Sequence, residues 1–310
     1  MLKFKEIENY KDYGKCLSVS NGVIEAYFTL DLGPRIIRFG YVNGQNFMCS
    51  ERVPLGYRTD EKYEEFFGKN KKWENLGGHR IWLSPESYPE TYTPDDRPVA
   101  YEITESGAVF TPLEDTEIGV QKYLEIKMDP DDTNMEVIMK VKNISSSAKK
   151  FAVWGLSVCA QNGTIIIPTN TNDTGLLPNR SLAIWPYTDL KDERLFIGNR
   201  FITVHQDVKA QNPLKIGINS NSGSAFYVLG DEILCKKYET NHKTGEYPDF
   251  GSSFESYTNN VMLEFETLSE LKTVKPSETS VHTEFWSLCN KTVDVDFKDE
   301  DSINNLLNKI

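Results

Sequence analysis

Two late segments carry the side chains best suited to proton chemistry. In Val261-Met262-Leu263-Glu264-Phe265-Glu266-Thr267-Leu268 the alternation of an extended chain puts Glu264 and Glu266 on one face and Leu263 and Phe265 on the other. Val281-His282-Thr283-Glu284-Phe285-Trp286 repeats the pattern, with His282, Glu284 and Trp286 on one face. If the two segments pair as a hairpin in matching register, carboxylates, an imidazole and an indole meet. Such a set could take a proton from a substrate and return it. The plainer alternative is a solvated sheet face whose acids point to water.

An earlier segment, Leu76-Gly77-Gly78-His79-Arg80-Ile81-Trp82-Leu83-Ser84-Pro85-Glu86, joins two glycines to His79, Arg80 and Trp82. His79 supplies a group that exchanges a proton near neutral pH, and Arg80 supplies a fork of donors for hydroxyl or carboxylate oxygens. Against this stands a purely structural loop with Arg80 paired to Glu86. The following loop, with Tyr92, Asp95, Asp96 and Arg97, extends the same polar and aromatic rim. Trp185, the pair Lys236-Lys237 and Glu255 are further candidates for holding a ligand. An aromatic ring offers an apolar plate to the C–H face of a sugar, although an isolated Trp is more often core. His205 and His242 read as surface or structural residues. The four histidines never form a close pair, so no metal site is expected, and no phosphate-cradling loop, dinucleotide fingerprint or nucleophile elbow occurs. No cofactor is expected.

The elements that must hold these residues read as strands. Short apolar and polar alternations recur at 23–28, 35–39, 120–126, 135–141, 150–158, 164–168, 201–204, 214–219, 225–229, 233–238, 254–258, 261–268 and 281–288. Asn43-Gly44, Asn162-Gly163 and Asp129-Pro130-Asp131-Asp132 are turn signals that favour hairpins over crossover helices. The expectation is an all-β sandwich of mostly antiparallel strands, as a sheet of fifteen or more strands splits into two packed layers. Residues 51–75 read as an inserted polar loop with a short helix. Residues 291–310 read as a tail whose short helix, capped by Asp301 or Ser302, packs through Ile303, Leu306, Leu307 and Ile310. With no linker or repeat, 1–290 reads as one domain.

At 310 residues, 39% hydrophobic and 12% aromatic, the chain can bury a full core without metal or disulfide staples. A net charge of −12, from 34 basic and 46 acidic residues, argues against nucleic acid and anionic lipid surfaces as partners. The five cysteines, Cys16, Cys49, Cys159, Cys235 and Cys289, are scattered and expected to be reduced. No secretory signal opens the sequence, and no run approaches the roughly 18 apolar residues of a membrane helix. A cytoplasmic protein is expected.

Three stretches carry a resemblance: Gly33-Pro34-Arg35-Ile36-Ile37-Arg38-Phe39, Glu266-Thr267, and Val274-Lys275-Pro276-Ser277-Glu278 about ten residues later. Over nearly the whole chain the sequence resembles the galactose mutarotase-like (aldose 1-epimerase-like) superfamily, in a branch marked by Gly-Gly-His-Arg, Phe-Glu-x-Tyr-Thr-Asn and His-Thr-Glu-x-Trp segments. The resemblance implies a β-supersandwich with a concave sheet that cups a monosaccharide. It also implies a carboxylate that takes the anomeric proton while a His protonates the ring oxygen. By position Glu266 matches the base, with Glu264 and Glu255 as fallbacks. The central strand in which the family places its His reads Phe151-Ala152-Val153-Trp154-Gly155-Leu156-Ser157, without one. Either His79 or His282 then carries the acid role, or the chain binds sugar without epimerising it.

The expected protein is accordingly an aldose-epimerase-like isomerase with Glu266 as base and His79 as acid. Arg35, Arg80, Trp185 and Lys237 hold hydroxyls or a ring face, and Glu255, Glu264 and His282 complete the expected substrate-binding set. A non-catalytic carbohydrate-binding module is the alternative, and a β-sandwich with a protein partner is a third possibility. The ligand is a monosaccharide or oligosaccharide, and the chain is a monomer or homodimer.

Overall fold

A computed structural model describes residues 1–50, 57–291 and 294–310. The alternations become two large antiparallel sheets. The first runs Lys3–Ile7, Cys16–Ser20, Ile24–Thr29, Ile36–Tyr41, Gly78–Ser84, Lys149–Cys159, Leu263–Leu268, Phe254–Thr258, Leu214–Ile218 and Leu182–Ile184, with Lys272–Val274 also paired to Lys149–Cys159. The second runs Leu195–Ile197, Phe201–His205, Thr164–Pro168, Ser224–Leu229, Glu232–Tyr238, Thr279–Asn290, Asn134–Asn143, Val120–Met128, Gly107–Pro112 and Val99–Ile103. The fold class is the all-β sandwich that the alternation predicts. Its main core lies between the sheets, where Phe28 stacks on Phe110 at 4.5 Å and Phe39 meets Trp286 edge to face at 5.1 Å.

Alternation assigns each strand of the first sheet an inner and an outer face. Ile81, Val153, Phe254, Leu263, Phe265, Leu214 and Ile216 join the inter-sheet core. Trp82, Trp154, Leu156, Val158 and Leu268 point the other way, into a second cluster with Tyr63, Trp73, Tyr92 and Met262. That outer cluster is roofed by the region after residue 57. A helix at Glu61–Phe67 starts at Asp60, whose carboxylate accepts from Tyr63 N. The buried Tyr63 hydroxyl donates to Tyr92 O at 2.9 Å, tying this helix to the 85–98 loop. Residues 51–56, the start of the expected insertion, lie outside the described residues.

Three local expectations are corrected. Gly78–Ser84 is a central strand, not a loop. The segments around Glu266 and Glu284 do not form a hairpin: Leu263–Leu268 belongs to the first sheet and Thr279–Asn290 to the second, so they face each other across the core. The C-terminal helix, Glu300–Leu307, is capped by Asp299, which accepts from the backbone of Asp301 and Ser302. Ile303 and Leu306 pack it onto the outer face of the second sheet at Ile166, Val228 and Ile233. No described helix is long and apolar enough to cross a membrane.

Candidate functional site

Strand register sets a row of side chains across the outer face of the first sheet. Arg80 pairs with Leu156, Leu156 with Glu266, Glu266 with Glu255, and Glu255 with Gly217. Directly opposed residues on neighbouring strands have Cβ atoms about 5 Å apart, so Glu255 and Glu266 are like-charged neighbours. Lys215, two residues from Gly217 on the same face, answers them: its Nζ is 2.7 Å from Glu255 Oε2 and 3.1 Å from Glu266 Oε2. Trp154 Nε1 donates to the same Glu266 oxygen at 3.0 Å. The ammonium also lies 4.7 Å from the centroids of both Trp154 and Trp185. At the other end of the row Arg80 Nη2 reaches Glu264 Oε1 at 3.2 Å, and its guanidinium stacks 4.1 Å from the Trp82 ring.

Two adjoining hollows of about 370 Å³ each open over this row and share Arg58, Glu86, Tyr92, Trp154 and Lys215. Each falls in the range of roughly 300–1,000 Å³ typical of small-molecule sites. Hollows as large occur elsewhere, one of about 500 Å³ beside Lys237 and Phe285 and one of about 610 Å³ beside His282. Volume therefore does not choose the site. The cleft is set apart by its buried groups with free hydrogen-bonding capacity. Glu266 Oε1, Glu255 Oε1, Arg80 Nε and Nη1, and the indole nitrogens of Trp73 and Trp82 have no hydrogen-bond partner. Buried polar atoms are normally satisfied, so a set of orphans around one hollow marks where a polyhydroxylated ligand would bond. Gly217 closes the row: a Cβ there would stand 2.4 Å from Ser252 Oγ, so glycine admits the turn that brings Asp249 beside Glu255.

Burial raises the Glu266 pKa to about 7 against the opposing pull of Lys215, and raises that of Glu255 well above the carboxylate range. Burial also works against the Lys215 charge, yet Glu266 and Glu255 hold its pKa well above the usual lysine value. Two carboxyls around one ammonium in a desolvated floor favour keeping one proton between them.

No protein-family model and no curated protein matches the sequence. Solved structures do. A TPR-domain containing protein from Parabacteroides distasonis aligns over 90% of this chain and 48% of its own, so this chain spans about half its length, at 14% identity and a TM-score of 0.57. A galactose mutarotase-like protein from Lactobacillus casei aligns over 93% of this chain and 100% of its own, at 10% identity and 0.54. A galactose mutarotase-like protein from Clostridium acetobutylicum aligns over 94% and 98%, at 11% and 0.50. The fold is that of the galactose mutarotase-like proteins. At such identities the likeness concerns architecture, and the side chains must speak for themselves.

Within this mutarotase-like sandwich the cleft lining brings together Glu255, Glu264, Arg80 and Trp185 of the expected residues, and Glu266 lies fully buried directly behind the lining residues Trp154 and Lys215. The other four lie elsewhere. His79 is one residue from Arg80 on a strand, so it points to the opposite face, into the core. There its Nδ1 is 2.8 Å from Ser157 Oγ. His282 also points inward, with Nε2 2.7 Å from Thr267 Oγ1. His79 and His282 thus do not share the cleft with Glu266. Lys237 is exposed on the outer face of the second sheet, while its neighbour Lys236 is buried between the sheets. Arg35 is buried beneath the site. It donates to Gly77 O at 3.0 Å and Asp95 at 2.9 Å, and so anchors the approach to the Arg80 strand. Of the rim residues only Tyr92 lines the cleft; Asp96 pairs with Lys71 and Arg97 with Asp115. His205 is exposed next to Thr164, and His242 bonds Ser253 and stacks on Tyr247. None of the four histidines lines the cleft.

Sequence reasoning missed Lys215, Trp154 and Tyr257. The signal for Lys215 was present: in Leu214-Lys215-Ile216-Gly217-Ile218 the only charged side chain alternates with buried aliphatics and shares its face with a glycine, so a strand of the core must aim it at something. Among the described residues no cluster of three or more metal-ligating side chains occurs.

Proposed function

We propose that the cleft over Glu266 binds a carbohydrate and that the chain is an aldose 1-epimerase-like isomerase, with Glu266 as the base that takes the anomeric hydroxyl proton. The observation that carries this reading is the Glu266 carboxylate: fully buried behind the aromatic-walled hollow, anchored through one oxygen by Trp154 and Lys215, which line it, with the other free of hydrogen bonds. A pKa near 7 suits a group that must take and return a proton at neutral pH. Trp82, Trp154, Trp185 and Tyr257 offer ring faces to sugar C–H groups, and Arg80 offers two unused donors to hydroxyls. The fold shared with galactose mutarotase-like proteins supports a carbohydrate ligand.

The test is the rate of α to β interconversion of glucose and galactose, followed by polarimetry. The expected result is acceleration by wild type that falls at least 100-fold in Glu266→Gln, the scale of a lost general base. A wild type no faster than Glu266→Gln would remove the isomerase reading. A second reading, a binding module without catalysis, is favoured by the absence of histidine from the cleft. Saturation of a tryptophan fluorescence change by sugar without any acceleration would select it.

A further inference from the structure

The isomerase reading leaves the ring oxygen without a proton donor, because both candidate histidines face the core. Directly opposite Glu266 the outer row holds a second carboxyl that can give a proton. Glu255 stands directly opposite Glu266 in register, is equally buried, and has an oxygen without a partner in the same cleft. The two acids differ in what serves them. Glu266 Oε2 accepts from both Trp154 and Lys215, whereas Glu255 has only its ion pair with Lys215 and lies beside a further acid, Asp249. More donors stabilise the anion, so of the two, Glu266 is the better carboxylate and Glu255 the better acid.

We propose that Glu255 holds the proton of this pair and is the general acid of the reaction, doing the work the core-facing histidines cannot. This rests on the isomerase reading above. The step balances within the pair. Glu266 takes the proton from O1 of the sugar as an O1 lone pair forms the carbonyl. The C1–O5 bond breaks with its electrons going to O5, which takes the proton of Glu255. O1 and O5 are both bonded to C1, so two adjacent carboxyls on one side of the sugar can reach them together. After rotation about C1–C2, O5 attacks the other face of the aldehyde carbon. Glu266 returns its proton to O1 and Glu255 recovers its own from O5. The groups facing the pair are Lys215 from Leu214–Ile218, Arg80 from Gly78–Ser84, Glu264 from Leu263–Leu268, Tyr257 from Phe254–Thr258, Asp249 and Glu86 from their turns, Tyr187, and Arg58, which lines both hollows.

Two measurements test this. Infrared spectroscopy of the unliganded protein near pH 7 should show the carbonyl stretch of a protonated buried carboxyl. It should disappear in both Glu255→Gln and Glu266→Gln, because either change leaves one carboxylate facing one ammonium. In Lys215→Met, where no ammonium opposes protonation, it should persist to higher pH. In the rate assay Glu255→Gln should lower kcat at least 100-fold with the sugar Kd changed less than threefold, and the alkaline fall of the wild-type pH profile should vanish. A band absent from wild type, or surviving unchanged in both Gln variants, overturns the proton's place on Glu255. So does Glu255→Gln with wild-type kcat. A wild type that shows the band yet leaves the anomers at their spontaneous rate overturns the isomerase reading instead, and the acid step with it.

Discussion

The same three strands carry two polar clusters, back to back, and the two are built on opposite plans. Gly78–Ser84 sends Arg80 out and His79 in; Lys149–Cys159 sends Trp154 out and Ser157 in; Leu263–Leu268 sends Glu266 out and Thr267 in. On the inner side Glu284 accepts from Thr267 at 2.5 Å, from Trp286 Nε1 at 2.5 Å and from Lys236 at 3.0 Å. Because Thr267 gives its hydroxyl proton to Glu284, its oxygen accepts from His282 Nε2–H. Lys236 donates to the Ser157 hydroxyl at 2.7 Å, and the same oxygen lies in hydrogen-bond contact with His79 Nδ1 at 2.8 Å. Burial works against the Glu284 charge, yet Lys236 and the other donors hold its pKa at about 2, while burial pushes His79 to about 3 and His282 to about 4. On the outer side both acids keep an unpartnered oxygen and are pushed upward. A buried network whose carboxylate is fully served pins two sheets together. One whose carboxylates are left short is poised to exchange protons with a ligand.

The sharpest way to break this contrast is to remove the inner cation. Lys236→Met leaves Glu284 charged, buried and without its ion-pair partner, and should cost roughly 3–5 kcal/mol of stability in urea unfolding, as breaking one side of a buried pair does. A loss below about 1 kcal/mol would mean that the inner network is not the clamp described. Next in size is Gly155→Ala, on the strand the two clusters share. A Cβ at this inner-facing position would stand 2.6 Å from Glu284 Oε1 and 2.7 Å from Met139 Cε, so overpacking should cost about 1–3 kcal/mol. Neither change touches the outer face, so binding of sugar by the folded fraction should survive both.

The sequence displayed one half of this arrangement more clearly than the other. Alternation in Val261–Leu268 and Val281–Trp286 showed which residues share a face, and the structure keeps those sets intact. It could not show which sheet each strand joins, and that choice separates Glu266 from His282. The Gly77-Gly78 pair hid a strand start behind a loop signature. Both glycines have positive φ, and a Cβ at Gly78 would lie 2.6 Å from Ile36 O, so they are there for close packing at the entry to a strand. Once Gly78–Ser84 is read as extended, His79 and Arg80 must part, as must Lys236 and Lys237. Long-range pairing, which composition does not encode, decided the rest.

The smallest effect separates the clusters by pH. His79, His282 and Glu284 have lowered pKa values, so their contribution to stability is present at neutral pH. It is lost as pH falls, from about 6.5 for the histidines and from 4.5 for Glu284, down toward the folded values of about 3, 4 and 2. Glu266 has a raised value, so its contribution is fully present below about 4.5 and is lost as pH rises through 7. The inner cluster therefore weakens the fold in acid and the outer one weakens it toward alkali. Glu266→Gln removes the outer term, as one ionised Glu255 then balances Lys215. Between pH 5 and 8 the variant's Tm should decline less than that of wild type, by roughly 2–4 °C for each kcal/mol removed, with the acid limb unchanged. Parallel curves for the two proteins on the alkaline side would show that the outer carboxyls do not share a proton, and would erase the distinction between the two faces.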